Sequence, residues 1–247
     1  MNLNKILYRT ITTSKSASKK VTTNDLSSKK LKHSSQQWLS RQMSDPYVDK
    51  AKMLHYRCRS AFKLIEIDDK YKFLKPGDTV VDCGAAPGSW TQVAVNKVNA
   101  DAADSKLKVG KVFSIDKQQI FPINGAAILG NMDFTQTASQ EELRKALNGS
   151  KINAVISDMA PSATGIGQMD KENIIHLCYS VLRFAVLLSD IDAAVLVKLW
   201  QCGETKKLET DIGKFYRNVK IVKPNASRAD SAEIFILGRN FKGLKVS

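Results

Sequence analysis

The stretch VVDCGAAPGSW, residues 80–90, decides how the chain is read. It opens as an apolar run, breaks into a loop with two glycines and a proline, and leads into Trp90, Val93, Ala94 and Val98 at helical spacing. A short apolar run that gives way to a 3.6-residue period predicts a strand, a tight loop and a helix. Gly84 and Gly88 are where backbone can come close to a ligand, with the N–H groups of the opening helix turn facing it. The spacing also limits the ligand. G-x-x-x-G is not the G-x-G-x-x-G of dinucleotide folds, and no Lys-Ser/Thr pair follows as a phosphate-binding P-loop requires.

Working outward, short β-rich runs alternate with helical patterns. Strands are predicted at 79–83, 111–116, 126–129, 153–158, 193–200, 218–223 and 232–238, and helices at 137–147, 173–189 and 204–215, with one or two more within 47–71. The series implies a single α/β domain with a doubly wound, mostly parallel seven-stranded sheet that binds ligands at the carboxyl ends of its strands. A ligand with a carboxylate, a ribose and an adenine but no phosphate suits the loop, which points to S-adenosylmethionine. Gly84, Ala85, Ala86, Pro87 and Gly88 would form its cradle. Asp116, closing the second strand, is placed to accept hydrogen bonds from both ribose hydroxyls, and Asp133, after the third, from the adenine amino group. Each acid alone also fits an ordinary loop cap.

The 247 residues carry a net charge of +14, a balance that favours a polyanion such as nucleic acid, or an anionic membrane surface. Residues 1–44 hold nine Lys and Arg against one acid, Asp25, and are rich in Ser and Thr. That composition, with Ile6, Leu7 and Ile11 able to form an apolar side, reads as a mitochondrial presequence directing the chain to the matrix; a basic tail that touches RNA is the other reading. Residues 45–247 then form the catalytic-sized domain. No apolar run approaches the ~18–20 residues of a membrane span. Cys58, Cys83, Cys178 and Cys202 form no C-x-x-C pair and read as free thiols. His33, His55 and His176 are scattered, and no metal site is expected.

Lys198, between Val197 and Leu199, is the odd residue of its strand, because a buried lysine is costly unless paired. With it in mind, four segments taken in order, DCGAAPGSW, SDMAPSATG, VKLWQ and SRADSAE, resemble the FtsJ-type RNA 2′-O-ribose methyltransferases over residues 45–240. The resemblance implies a Rossmann-like S-adenosylmethionine-dependent fold and a tetrad of Lys63, Asp158, Lys198 and Glu233. It also implies donor contacts from Gly88, Trp90, Asp116, Asp133 and Asp158. The cysteine of VVDCG, the basic leader and the long linker 99–111 are most similar to the mitochondrial members that methylate large-subunit rRNA. They imply as target a uridine of the peptidyl-transferase region, met within an assembling ribosomal subunit. A tRNA anticodon loop, an mRNA cap, or an assembly role in which binding outweighs catalysis are the alternatives. Ser60, Ser89 and Phe235 depart from the alanine, glycine and tyrosine common in bacterial members. Lys198 would either take the hydroxyl proton or hold the hydroxyl in line. Arg57, Arg59, Lys63 and Arg228 are the expected RNA contacts, with Lys52, Lys220, Lys223, Arg239 and Lys242 as further basic candidates.

Overall fold

The structure is a computed structural model that describes residues 45–244, so the expected leader lies outside the described residues. Two helices, α1 (Pro46–Met53) and α2 (Ala61–Tyr71), precede β1 (Thr79–Cys83) and α3 (Ser89–Val98). β2 (Lys111–Ile115), β3 (Ala126–Leu129), α4 (Thr137–Leu147), β4 (Ile152–Ser157) and α5 (Gly167–Leu188) follow. β5 (Ser189–Trp200), α6 (Thr205–Phe215), β6 (Tyr216–Val222) and β7 (Glu233–Phe241) complete the chain. No helix among the described residues is long and apolar enough to cross a membrane.

The seven strands form one sheet in the order β3-β2-β1-β4-β5-β7-β6. The first five run parallel, and β7 pairs antiparallel with both β5 and β6. Side chains alternate between the faces, so each central strand feeds two cores. Val80, Val112, Ala154 and Leu196 pack on one side against Leu64 and Ile67 of α2 and Val93 and Ala94 of α3. Val81, Phe113, Val155 and Val195 pack on the other against Leu143 of α4, Ile174 and Val181 of α5, and Leu208 and Ile212 of α6. Buried Asp68 locks the first layer: Oδ1 accepts from the amides of Phe73 (3.1 Å) and Leu74 (2.9 Å), and Oδ2 faces Lys97 Nζ of α3 at 3.0 Å.

Two boundaries differ most from the sequence reading. α5 begins at Gly167, six residues before the expected 173. Its first turns carry no apolar period, but the amide and hydroxyl of Thr164 both donate to Asp170 Oδ1 (2.8 and 2.7 Å), tying the entry loop to the first turn. β5 begins at Ser189 rather than 193, with a register break against β4 between Ile152 and Ala154. Such an irregularity hides the two-residue alternation from a sequence pattern.

Asp82 of β1 is 1% exposed, and its Oδ2 accepts from Thr91 Oγ1 at 2.7 Å. Burial pushes its pKa up to about 7, the charges of Asp158 and Asp116 add to the rise, and Thr91 opposes it. A carboxyl that holds its proton more tightly when folded stabilises the fold most below the unfolded value of about 3.9. That contribution is lost as pH rises towards the folded value. Asp82→Asn keeps an acceptor for Thr91 and removes the titration. Urea unfolding at pH 5 and pH 8 is expected to show the variant gaining on the wild type by on the order of 3 kcal/mol between the two; an equal gap at both pH values refutes it.

Candidate functional site

The loop after β1 holds Gly84 at φ +76 and Gly88 at φ +111, values that favour glycine. A Cβ on Gly84 would lie 2.0 Å from Met159 Cγ, so the loop packs directly on the segment after β4. Its amides are already spent: those of Gly84 and Ala85 donate to Ile115 O (2.8 and 3.2 Å), and that of Ala86 to Asp116 Oδ2 (3.0 Å). These three N–H groups turn back onto the end of β2.

Beside it lies a cavity of about 360 Å³ at the carboxyl ends of β1, β2 and β4, lined by Gly84, Ala86, Asp116, Asp133 and Asp158 among others. Asp116 Oδ1 accepts from the Gln118 amide at 2.6 Å, which leaves each carboxylate oxygen one further lone-pair direction. Asp133 Oδ1 takes the hydroxyl (2.7 Å) and amide (2.9 Å) of Thr135, and these bonds lower its pKa. The loop-cap reading therefore holds for that oxygen, and Oδ2 is the one left for a ligand. Ala85, Pro87, Gly88 and Trp90 do not line the cavity. Trp90 is a core residue instead: it is 2% exposed, its ring lies 5.7 Å from that of Phe235, and its Nε1 donates to Ser60 O at 2.9 Å. Sequence reasoning missed the opposite wall, where Asn173, His176 and Leu177 come from the early turns of α5. They lie within the helix predicted over 173–189, but no local pattern links that helix to the loops after β1 and β2.

The four residues of the expected tetrad meet at the same rim. Pairing of Ser157 with Val197 sets Asp158, the next residue, beside Lys198. Lys198 Nζ lies 3.1 Å from Asp158 Oδ1 and donates to the Asp158 carbonyl. Because β7 runs backwards, its first residue, Glu233, pairs with Trp200 at the end of β5. From the first turn of α2, Lys63 Nζ reaches Glu233 Oε2 at 2.7 Å and Asp158 Oδ1 at 3.6 Å. Asp158 Oδ1 is buried and shared by two ion pairs, yet it accepts a well-directed hydrogen bond from neither amine. Burial raises the Glu233 pKa, but the charge and hydrogen bond of Lys63, with help from Ser227 and Lys198, bring it below its ordinary value.

A second cavity, about 270 Å³, lies across this cluster and is lined by Cys58, Arg59, Ser60, Lys63, Arg228 and Glu233, among others. Of the expected RNA contacts, Arg59, Lys63 and Arg228 line it. Arg57 does not. Its guanidinium donates to the carbonyls of Pro87 (2.7 Å), Phe121 (2.9 Å) and Pro122 (2.8 Å), clamping two loops together. Arg239 and Lys242 sit at the opposite rim, since β7 carries them away from Glu233; Arg239 donates to Tyr71 O and Lys242 to Gly213 O. Of the residues expected to depart from the bacterial pattern, Ser60 and Ser89 touch each other. Ser60 Oγ and Ser89 Oγ are 2.8 Å apart, each 3.0 Å from Cys58 Sγ, and the Phe235 ring lies 5.8 Å from Lys63 Nζ.

This geometry coincides with similarity to known proteins. The chain is 58% identical over 210 residues, 85% of its length, to the Drosophila melanogaster protein named rRNA methyltransferase 2, mitochondrial, and covers 84% of it. It is 42% identical over 217 residues to the ribosomal RNA large subunit methyltransferase E of Parvibaculum lavamentivorans, covering 87% of this chain and 85% of that one. A crystal structure of a Plasmodium falciparum protein described as a ribosomal RNA methyltransferase superposes with a TM-score of 0.66 at 30% identity. That match spans 76% of this chain and all of that one. The sequence pattern of the FtsJ-like methyltransferase family matches residues 56–241, and the chain belongs to that family.

Proposed function

We propose that this chain transfers a methyl group from S-adenosylmethionine to a ribose 2′-hydroxyl of large-subunit rRNA in mitochondria, the target being a uridine of the peptidyl-transferase region. Residues 1–44 would act as the import leader and 45–247 as the methyltransferase domain. The observation that carries this reading is the position of the tetrad. Lys63, Asp158, Lys198 and Glu233 stand between the two cavities, with Asp158 in the lining of one and Lys63 and Glu233 in that of the other. The first cavity suits the donor: Asp116 retains lone pairs for two ribose hydroxyls, and Asp133 Oδ2 for the adenine amino group. The second is basic through Arg59, Arg228 and Lys63, as a cavity that takes one nucleotide with its phosphates should be. Mitochondrial placement and large-subunit rRNA follow the names of the relatives, and the uridine follows the family resemblance. The described residues include no separate base-reading module, which favours recognition by RNA shape within an assembling subunit.

When bound, S-adenosylmethionine supplies a methyl group on a cationic sulfur, open to in-line displacement. The remaining work falls to side chains. A ribose hydroxyl is a feeble nucleophile at neutral pH, so it must be oriented and lose its proton. Lys198 Nζ is fixed by the carboxylate and carbonyl of Asp158. We assign it the hydroxyl proton, with Asp158 stabilising the ammonium that results. Lys63, braced by Glu233, holds the ribose side of the site, and mostly buried surroundings strengthen each of these contacts.

Mapping ribose methylation in mitochondrial rRNA and tRNA after depletion of the protein tests the target. Loss at one large-subunit rRNA uridine is expected, and loss confined to tRNA refutes the reading. Asp116→Ala should weaken S-adenosylmethionine binding by about 10- to 150-fold in calorimetry, equivalent to ~1.5–3 kcal/mol for hydrogen bonds to a charged group; unchanged affinity in a folded variant removes Asp116 from the site. Lys198→Ala should leave donor affinity nearly intact and cut single-turnover methyl transfer by ~10²–10⁴. Lys198→Arg should be equally impaired, because a guanidinium keeps the charge but accepts no proton. Substantial activity in the arginine variant defeats the proton-acceptor assignment.

A further inference from the structure

The segment Pro224–Ser231 between β6 and β7 has no regular structure, yet it is held from several sides. Glu66 lies one turn after Lys63 on α2, on the same helix face, and its Oε2 accepts from the Ala226 amide at 3.1 Å. Its other oxygen, Oε1, accepts from the Tyr47 hydroxyl of α1 at 2.9 Å. Arg59 donates to the Ala226 carbonyl and stacks over the Tyr47 ring at 5.5 Å. Ala226 is fully buried against Phe62 and Ala51, so both polar groups of its peptide and its methyl are engaged by α1, α2 and the residues between them. Lys223 closes the loop from the far side through the carbonyls of Ala229 (3.2 Å) and Ser231 (2.8 Å). The next residue after the pinned alanine is Ser227, 6% exposed, whose Oγ donates to Glu233 Oε1 at 2.7 Å. Glu233 is thereby gripped at both oxygens, by Ser227 on one and Lys63 on the other.

We propose that Ser227 is a positioning residue for Glu233 and that Glu66, with Tyr47 and Arg59, holds Ser227 in register, making helix α1 a working part of the acceptor side of the site. The consequence for the reaction rests on the methyl-transfer reading above; the placement of Glu233 does not. A carboxylate with one oxygen released can rotate away from Lys63, and a lysine no longer braced cannot fix the ribose. Cofactor binding should be indifferent, because none of these groups lines the first cavity. The groups facing Glu233 are Lys63 from α2, Lys198 from β5, Asp158 after β4, and Arg59 and Arg228 in the shared cavity wall. None of these side chains is itself changed by a substitution at Ser227. Loss of the Ser227 hydroxyl therefore raises the Glu233 pKa from its lowered value by removing a donor to the charged form.

The experiment is a ¹³C-carboxyl NMR titration of the full chain from pH 8 downwards, with Glu233 assigned through Glu233→Gln. It compares wild type, Ser227→Ala, Ser227→Thr, Glu66→Gln and the milder Tyr47→Phe, alongside S-adenosylmethionine affinity and single-turnover methyl transfer to rRNA. Ser227→Ala is expected to titrate Glu233 at higher pH than wild type and to slow transfer about tenfold with donor affinity unchanged. Ser227→Thr, which keeps the hydroxyl, is expected to restore both, and Glu66→Gln and Tyr47→Phe to shift Glu233 in the same direction by less. A Ser227→Ala curve that overlies the wild type across the folded range overturns the proposal, as does a shifted curve with an unchanged transfer rate. Absence of transfer by the wild type itself would count against the methyl-transfer reading, while the titration would still decide the placement of Glu233.

Discussion

A lysine amine cannot be left unpaired in an apolar strand, and the site is organised around that constraint. Lys198 is 9% exposed, and an isolated charge so placed would cost several kcal/mol. Parallel pairing of β4 with β5 answers it, because Asp158 follows directly on the residue that pairs with Val197. Asp158 in turn lies within reach of Lys63, and Lys63 is balanced by Glu233. Two lysine amines and two carboxylates thus stand within a few ångströms of one another, drawn from α2, the end of β4, β5 and the start of β7. Removing one member uncovers the charges of the others, so the cluster behaves as a unit rather than as separate ion pairs.

The reversed strand is what closes this unit. In a wholly parallel sheet the first residue of the last strand would lie at the amino rim, away from the ligand. Because β7 runs against β5, Glu233 stands beside Trp200 while Arg239 and Lys242 are carried to the far rim. One inversion therefore selects which charges join the site. It also brings the Pro224–Ser231 loop over the same rim, where α1 and α2 hold it. The loops after β1 and β2 are bound to one another separately, by Asp116 and by the Arg57 clamp. The two cavities consequently have independent supports and share the tetrad.

The three departures from the bacterial pattern form a local set. Ser89, at the first turn of α3 where the family resemblance implies a glycine, meets the hydroxyl of Ser60, with Cys58 completing a triangle of polar groups. Phe235, fully buried, lies between the Trp90 ring and the Lys63 amine. A phenyl ring there packs the core and offers its face to the cation, but donates no hydrogen bond.

The sequence by itself determined the seven strands, the alternation that makes the sheet buried on both faces, and the two glycines of the first loop. Those features depend on local periodicity and on backbone conformations that few residues adopt, and both are written in neighbouring residues. The four residues that meet at the rim could be named too, but only through family resemblance, since no spacing links Lys63 to Glu233 170 residues later. Tertiary structure alone decided the rest. Arg57 became a loop clamp and Trp90 a core residue, because their partners are carbonyls of distant loops and a ring of the distant strand β7. The wall formed by Asn173 and His176 went unseen because no local pattern ties the helix that carries them to the loops after β1, β2 and β4. Glu66 carried no signal in sequence, and Ser227 stood only as the first residue of SRADSAE: a glutamate and a serine acquire these roles when the fold places Ala226 between them.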